Sequence, residues 1–231
     1  MKRNQSGFTL IEIAIVLVII GLLLGGVLKG QELINSAKVK NLANDFKNIP
    51  VFIYGYQDKF KTLPGDDSNL ANHVTGGTAC APVATAGKCM LGNGVIEGNW
   101  NDPSTASESF VFWQHVRLAG LAPGSTDTGA TDYLPTNAAG GKIGIQSGTT
   151  STTATPINAT AGASPIRGSY VICSEGVLGK FVKQLDTQMD DGNTAAGSMM
   201  AGVATAAGTA MTAKANADID DATTYTVCMG V

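Results

Sequence analysis

Residues 1–28 read MKRNQSGFTLIEIAIVLVIIGLLLGGVL, and this stretch decides how the rest of the chain is organised. Lys2 and Arg3 sit in a short basic leader that closes at Gly7. From Phe8 to Leu28 the chain is apolar, with Glu12 as its single charge. As a helix, that segment spans roughly 31 Å at 1.5 Å per residue, enough to cross a hydrocarbon core of about 30 Å. A carboxylate inside it costs roughly 2.5–3.5 kcal/mol on insertion, a cost hard to sustain unless Glu12 acquires a partner. A secretory signal places its small-residue cleavage site after the apolar stretch. Here the small residue, Gly7, comes before it, so cleavage there removes the basic leader and leaves the hydrophobic helix on the mature chain.

Outward from Leu28 the helical pattern continues but changes character. Leu42, Phe46, Ile49, Ile53, Tyr56 and Phe60 recur at steps of four and three, an apolar stripe on one face. Lys38, Lys40, Asn41, Asp45, Lys47, Asp58 and Lys59 fall mostly elsewhere. The expectation is one long helix over 8–63, membrane-spanning over 8–28 and amphipathic over 29–63. Pro50 removes a backbone donor and clashes with the preceding turn, which predicts a kink or break near Phe46–Pro50. Leu63-Pro64-Gly65-Asp66-Asp67 then ends the pattern with turn chemistry.

Lys2-Arg3 followed by Gly7-Phe8-Thr9-Leu10-Ile11-Glu12 closely resembles the class III signal of the type IV prepilin family, which includes type II secretion pseudopilins. The resemblance implies cleavage between Gly7 and Phe8 by a prepilin peptidase and N-methylation of Phe8. It also implies pairing of Glu12 with the Phe8 amine of a neighbouring subunit during filament assembly. Tyr56–Asp66, Gly92–Glu97, Glu108–Leu121 and Leu185–Gly192 are similar to successive segments of prepilin-type proteins. The implied partners are other pilin subunits, the processing peptidase and methyltransferase, the inner membrane and the pilus or secretion assembly machinery. The implied location is the bacterial inner membrane, with the head in the periplasm, and later a surface pilus or periplasmic pseudopilus.

Composition fits such a chain. Lys plus Arg number 15 against 18 Asp plus Glu, for a net charge of −3, and loss of Lys2 and Arg3 makes the balance more acidic. Outside the leader and the 29–61 region no basic cluster marks a nucleic-acid footprint. The positive leader stays cytoplasmic and the head, 64–231, is translocated. Its four cysteines in an exported domain read as two disulfides, of three possible pairings. Cys80–Cys89 would close a short loop without a core of its own, and Cys173–Cys228 would tie two candidate strands. A zinc site using all four is the alternative, although the spacings lack C-x₂-C character.

The fold expectation is α+β: a long N-terminal hydrophobic helix, the pilin spine, packed on a small antiparallel sheet with extra helices and long loops. Thr105-x-x-Glu108 has capping-box spacing, and helices are expected at 106–119 and 176–190. Strands are expected at 142–146, 169–173 and 225–229. Ala122–Pro165 (apart from that first strand) and Gly192–Asn216 are rich in Ala, Gly, Ser and Thr and read as long surface loops. Asp186, Asp190 and Asp191 beside Gly192 are the calcium candidates, with Asn93, Glu97, Asn99 and Asp102 as a second oxygen cluster; calcium takes 6–8 oxygens. Some pseudopilins bind calcium in the C-terminal part of the head. The alternative is a helix ending in solvent. His115 and His73 are the two histidines, no nucleophile or phosphate-loop motif accompanies them, and an enzymatic role is not expected. The functional expectation is a structural subunit of a type IV pilus or pilus-like filament. The alternatives are a secretion pseudopilin and a minor tip pilin acting in adhesion or DNA uptake.

Overall fold

The structure is a computed structural model that describes residues 9–81, 89–160, 164–204, 206 and 208–231. The chain divides at Lys38 into two units, 1–38 and 39–231, and one helix, α1 (Leu10–Phe60), runs through the boundary. In the first unit the described apolar side chains have nothing to pack against. Every residue from Thr9 to Lys29 is exposed, which in water is tolerable for scattered residues but not for a continuous surface. Length and composition make this the one described helix able to cross a membrane.

In the second unit α1 buries Val39, Leu42, Ala43, Phe46, Ile49, Ile53 and Tyr56, the stripe expected from the 3.6-residue period. Pro50 does not break the helix: the ladder loses one donor and continues to Phe60. The end is set by Lys61, which adopts φ 61° while its N–H donates to the Gln57 carbonyl at 2.8 Å, a left-handed cap built on a non-glycine residue. The helix is therefore three residues shorter at this end than the turn chemistry implied.

Short helices α2 (Leu70–His73), α3 (Glu108–Leu118) and α4 (Gly179–Met189) follow, with strands β1 (Ile143–Ser147), β2 (Ile157–Asn158), β3 (Tyr170–Leu178), β4 (Met199–Gly202), β5 (Met211–Thr212) and β6 (Thr224–Gly230). Four strands form an antiparallel sheet in the order β1-β3-β6-β4, and β2 pairs parallel to β5. One extra residue on β3 makes a bulge between Ser174 and Val177, where Gly176 supplies φ 73°. β3 thus runs five residues past its expected end and takes over the start of the expected helix 176–190.

Side chains alternate across the sheet with period two. Ile143, Ile145, Ile172, Val227, Met199 and Ala201 join the core that holds most of the α1 stripe, α3 and α4. Val171, Cys173, Cys228 and Met200 face the other way, against Ile157, Ile166, Met211 and Trp100. This second face corrects the loop assignment. Within 122–165 and 192–216, β4 completes the sheet, while β2 and β5 cover its far side. Their short apolar runs, such as Met199-Met200-Ala201, carry no sustained period, so only the packing reveals them.

Helix α3 is buried on all sides rather than along one face. Tyr133 packs its ring on Phe110 and inserts its hydroxyl into the helix ladder, donating to the Phe110 carbonyl at 2.8 Å and accepting from Gln114 N–H at 3.0 Å. Arg117, also buried, donates to the carbonyls of Pro123 (3.1 Å), Ser125 (2.7 Å) and Tyr133 (2.6 Å), fastening the loop after α3 to its own helix. Gly124 sits so close to the guanidinium that a Cβ there would meet Arg117 Nε at 2.7 Å. Arg117→Ala removes a buried side chain and strands the buried Tyr133 carbonyl and two part-buried ones, so we expect it to destabilise the head by about 2–4 kcal/mol, read by chemical denaturation of the detergent-solubilised chain.

Candidate functional site

Gly7 and Phe8 lie outside the described residues, and the described part of the N-terminal site starts at Thr9. Thr9 caps α1. Its N–H donates to Glu12 Oε2 at 2.9 Å, its hydroxyl to the same oxygen at 2.7 Å, and Glu12 N–H returns to Thr9 Oγ1 at 3.3 Å. This is a capping box, threonine and glutamate three apart, and it satisfies donors that a helix start leaves open. Both bonds to the carboxylate fall on Oε2. Oε1 receives none from a described residue. Thr9 is the capping residue that the apolar pattern hides, although its three-residue spacing to Glu12 is itself a capping signal.

The capping box expected at Thr105–Glu108 does not form. Ser107 is the N-cap of α3, and the buried Glu108 carboxylate instead accepts from Met90 N–H (2.8 Å) on Oε1 and Glu97 N–H (2.9 Å) on Oε2. Burial, the dominant cause, pushes its pKa up to about 7 despite those two bonds, with Asp66 and Glu97 adding repulsion. A carboxylate at a helix start is here spent on tying two irregular segments together.

The cysteines are bonded Cys80 to Cys89 and Cys173 to Cys228. The first lies beside Glu108, with Cys80 Sγ 3.7 Å from its Oε1. The second joins directly opposed residues of β3 and β6, with Cα atoms 4.1 Å apart, and is wholly buried between sheet and β2/β5 layer. With all four sulfurs paired, no cysteine is left as a zinc ligand.

Asp186 is 1% exposed on α4, and neither carboxylate oxygen has a hydrogen-bond partner among the described residues. Burial raises its pKa to about 6, and the charges of Asp190 and Asp191 add to the rise. The backbone N–H groups of Gly192 and Asn193 offset part of it without reaching hydrogen-bond geometry. Asp190 Oδ2 accepts from Met199 N–H at 2.9 Å and Asp191 Oδ1 from Asn193 N–H at 2.8 Å. The three carboxylates do not bring one oxygen each within 4.8 Å of the others, so they do not form a ready cation cage. In the second cluster, Asn93 Nδ2 donates to Glu97 Oε1 at 2.9 Å, while Glu97 Oε2 is buried with no hydrogen-bond partner among the described residues.

His115 is structural in its contacts. Its Nδ1 accepts from Gly65 N–H at 2.9 Å, so the proton sits on Nε2, which donates to the Thr78 carbonyl at 3.0 Å. Burial holds its pKa below the ordinary value, keeping the ring neutral. Gly65, at φ 94° and pressed against the Glu108 backbone, is the residue that lets this turn approach. His73 Nδ1 lies 2.6 Å from Asp67 Oδ2, which also accepts from Tyr56 hydroxyl at 2.7 Å.

Residues 2–28 match the family model described as the prokaryotic N-terminal methylation motif, the class III signal of type IV prepilins and pseudopilins. No curated protein matches the chain, and no solved structure does.

The raised carboxyl pKa values set the pH response of the head. An acid whose native pKa lies above its unfolded value of 3.8 (Asp186) or 4.5 (Glu108) keeps a proton that the unfolded chain releases. Raising the pH from about 5 through 7 therefore favours unfolding. We expect the thermal midpoint to fall over that range, and Asp186→Asn to shrink the fall and raise the midpoint at about pH 7.5. Calcium that stabilises the wild type but not Asp186→Asn would instead show a cation bound at this carboxylate.

Proposed function

We propose that this chain is a structural subunit of a type IV pilus or type IV pilus-like filament. It is cleaved after Gly7 by a prepilin peptidase, N-methylated at Phe8 and polymerised from the inner membrane, its head periplasmic until assembly. The methylation-motif match over residues 2–28 carries the reading, because it coincides with an apolar helix of exposed side chains and one carboxylate. Pilin-type proteins are generally structural, and most of the head's buried polar groups are occupied in fastening loops.

Polymerisation answers two physical problems at once. The exposed helix 10–29 needs an apolar medium, supplied first by lipid and then by copies of itself. Glu12 needs a counter-charge. In the isolated chain the Thr9 cap occupies Oε2, and the neighbour's Phe8 ammonium can be received on Oε1 without breaking that cap. In a low-dielectric core the attraction is large, but desolvation cancels much of it. The pairing therefore acts chiefly on register: a misplaced subunit leaves a buried charge unmatched.

Two substitutions separate charge from cap. Glu12→Gln retains capping-box chemistry and loses the charge; Glu12→Ala loses both. Each variant, as the sole copy, is expected to insert and to be cleaved, yet to enter sheared filaments poorly. Normal filament numbers with Glu12→Gln would show that the cap, not the ion pair, is what assembly uses. Independently, intact mass should show mature protein beginning at methylated Phe8, and replacing Gly7 with a bulky residue should leave full-length precursor in the membrane. Mature filaments retaining Met1–Gly7 would overturn the processing assignment.

A further inference from the structure

Three irregular segments converge at one end of the four-stranded sheet. β1 and β6 run toward that end, while β3 and β4 start there. The segments are the exit of β1 at Gly148–Thr150, the approach to β3 at Ser164–Gly168 and the approach to β4 at Ala196–Ser198. They border two adjoining, open clefts of about 680 and 520 Å³. Arg167 and Ser164 line both clefts; Thr149 and Thr150 stand on one wall and Ser198 on the other.

Arg167 differs from the head's other arginine. Arg117 is buried with three carbonyl acceptors, whereas Arg167 is exposed and its guanidinium has no hydrogen-bond or ion-pair partner among the described residues. No carboxylate side chain lines either cleft among the described residues. Asp190 and Asp191 stand behind Gly197 of the second cleft, their carboxylates accepting from Met199 N–H and Asn193 N–H. The backbone under Arg167 is nevertheless held firmly. Its carbonyl rests on Gly230 and that of Gly168 on Gly148, each so closely that a Cβ on the facing glycine would overlap it. Ile166 is buried and donates its N–H to the Ile157 carbonyl at 3.1 Å, and Tyr170 and Val231 exchange backbone bonds of 3.0 and 2.9 Å. A free guanidinium is thus presented from a fixed rung, between walls of hydroxyl groups.

We infer that Arg167 anchors a binding site for a carboxylate-bearing sugar, such as a uronic acid unit of an acidic polysaccharide. The planar guanidinium suits two parallel hydrogen bonds to a carboxylate. A bare anion would fill a small part of either cleft, and the serine and threonine hydroxyls with exposed backbone suit the hydroxylated body of a sugar ring. A nucleic-acid strand, by contrast, requires a row of cations, and one arginine serves here. The inference stands apart from filament assembly, since the site belongs to the head alone.

The test is calorimetric titration of the detergent-solubilised full chain with glucuronate, glucose and inorganic phosphate. Glucuronate should bind, less tightly as salt rises, with glucose and phosphate each about tenfold weaker or more. Arg167→Ala should weaken glucuronate by about tenfold or more, and Arg167→Lys should fall between the two, keeping the charge but losing the paired geometry. Because the side chain is exposed, both variants should keep the wild-type unfolding midpoint, which is measured alongside. Glucuronate binding that is absent in the wild type, or unchanged in Arg167→Ala, overturns the site. Phosphate binding as tightly as glucuronate overturns the sugar assignment, and glucose binding equally overturns the role of the charge.

Discussion

Burial of one stripe of α1, from Val39 to Tyr56, is the contact on which the head depends. Val39 to Ile53 supply six side chains to the main core, where they meet the sheet residues Ile145, Ile172 and Val227 and the buried helix α3. Tyr56, one turn on, anchors a smaller cluster with Leu70 and Val74. Removing this face from water at roughly 25 cal/mol per Å² of apolar area provides a favourable term that short strands and irregular segments could not generate among themselves. The same helix, a few turns earlier, is apolar all round and packs on nothing described. One continuous helix is therefore written for two solvents, with the change beginning at Lys29 and Glu32 and continuing through Lys38, Lys40 and Asp45 between the apolar positions.

The rest of the head is ordered by buried polar groups more than by regular structure. Arg117 gathers three carbonyls, His115 spans Gly65 and Thr78, and Glu108 joins Met90 to Glu97. Asp66 accepts from Gly92 N–H, from Gly94 N–H at 2.7 Å and from Asn93 N–H at 3.2 Å. Each replaces the backbone pairing that a long loop lacks, which is how such loops escape the penalty of unsatisfied buried groups. Asp186 departs from this rule, a buried carboxylate with neither oxygen bonded among the described residues, and its raised pKa is the physical consequence.

A head fastened in this way suits a role in which its own shape is fixed and its surface is displayed. The segments at one end of the sheet leave room for clefts because glycines at 148, 168 and 230 let the backbones touch where side chains would hold them apart. The wholly buried Cys173–Cys228 bond locks the two central strands beneath that end. Rigid support with small, hydroxylated walls is a different design from an adaptable loop surface.

Local periodicity and one unusual charge are legible in the residues before any folding is known. The apolar run with Glu12, the stripe from Leu42 to Tyr56, the strands near 143, 170 and 224 and the helices near 108 and 179 are all carried by spacing along the chain. Glu108 looks like a helix cap and Pro50 like a break because local rules govern isolated segments. Tertiary contacts override both, drawing the carboxylate to Met90 and Glu97 and holding the helix through the proline. The contribution of β2, β4 and β5 from within 122–165 and 192–216 emerges only on folding, since two- to four-residue strands have no period to read. The contrast between Arg117, consumed by carbonyls, and Arg167, left free, likewise belongs to the folded chain, because a side chain's partners come from segments that folding brings to it.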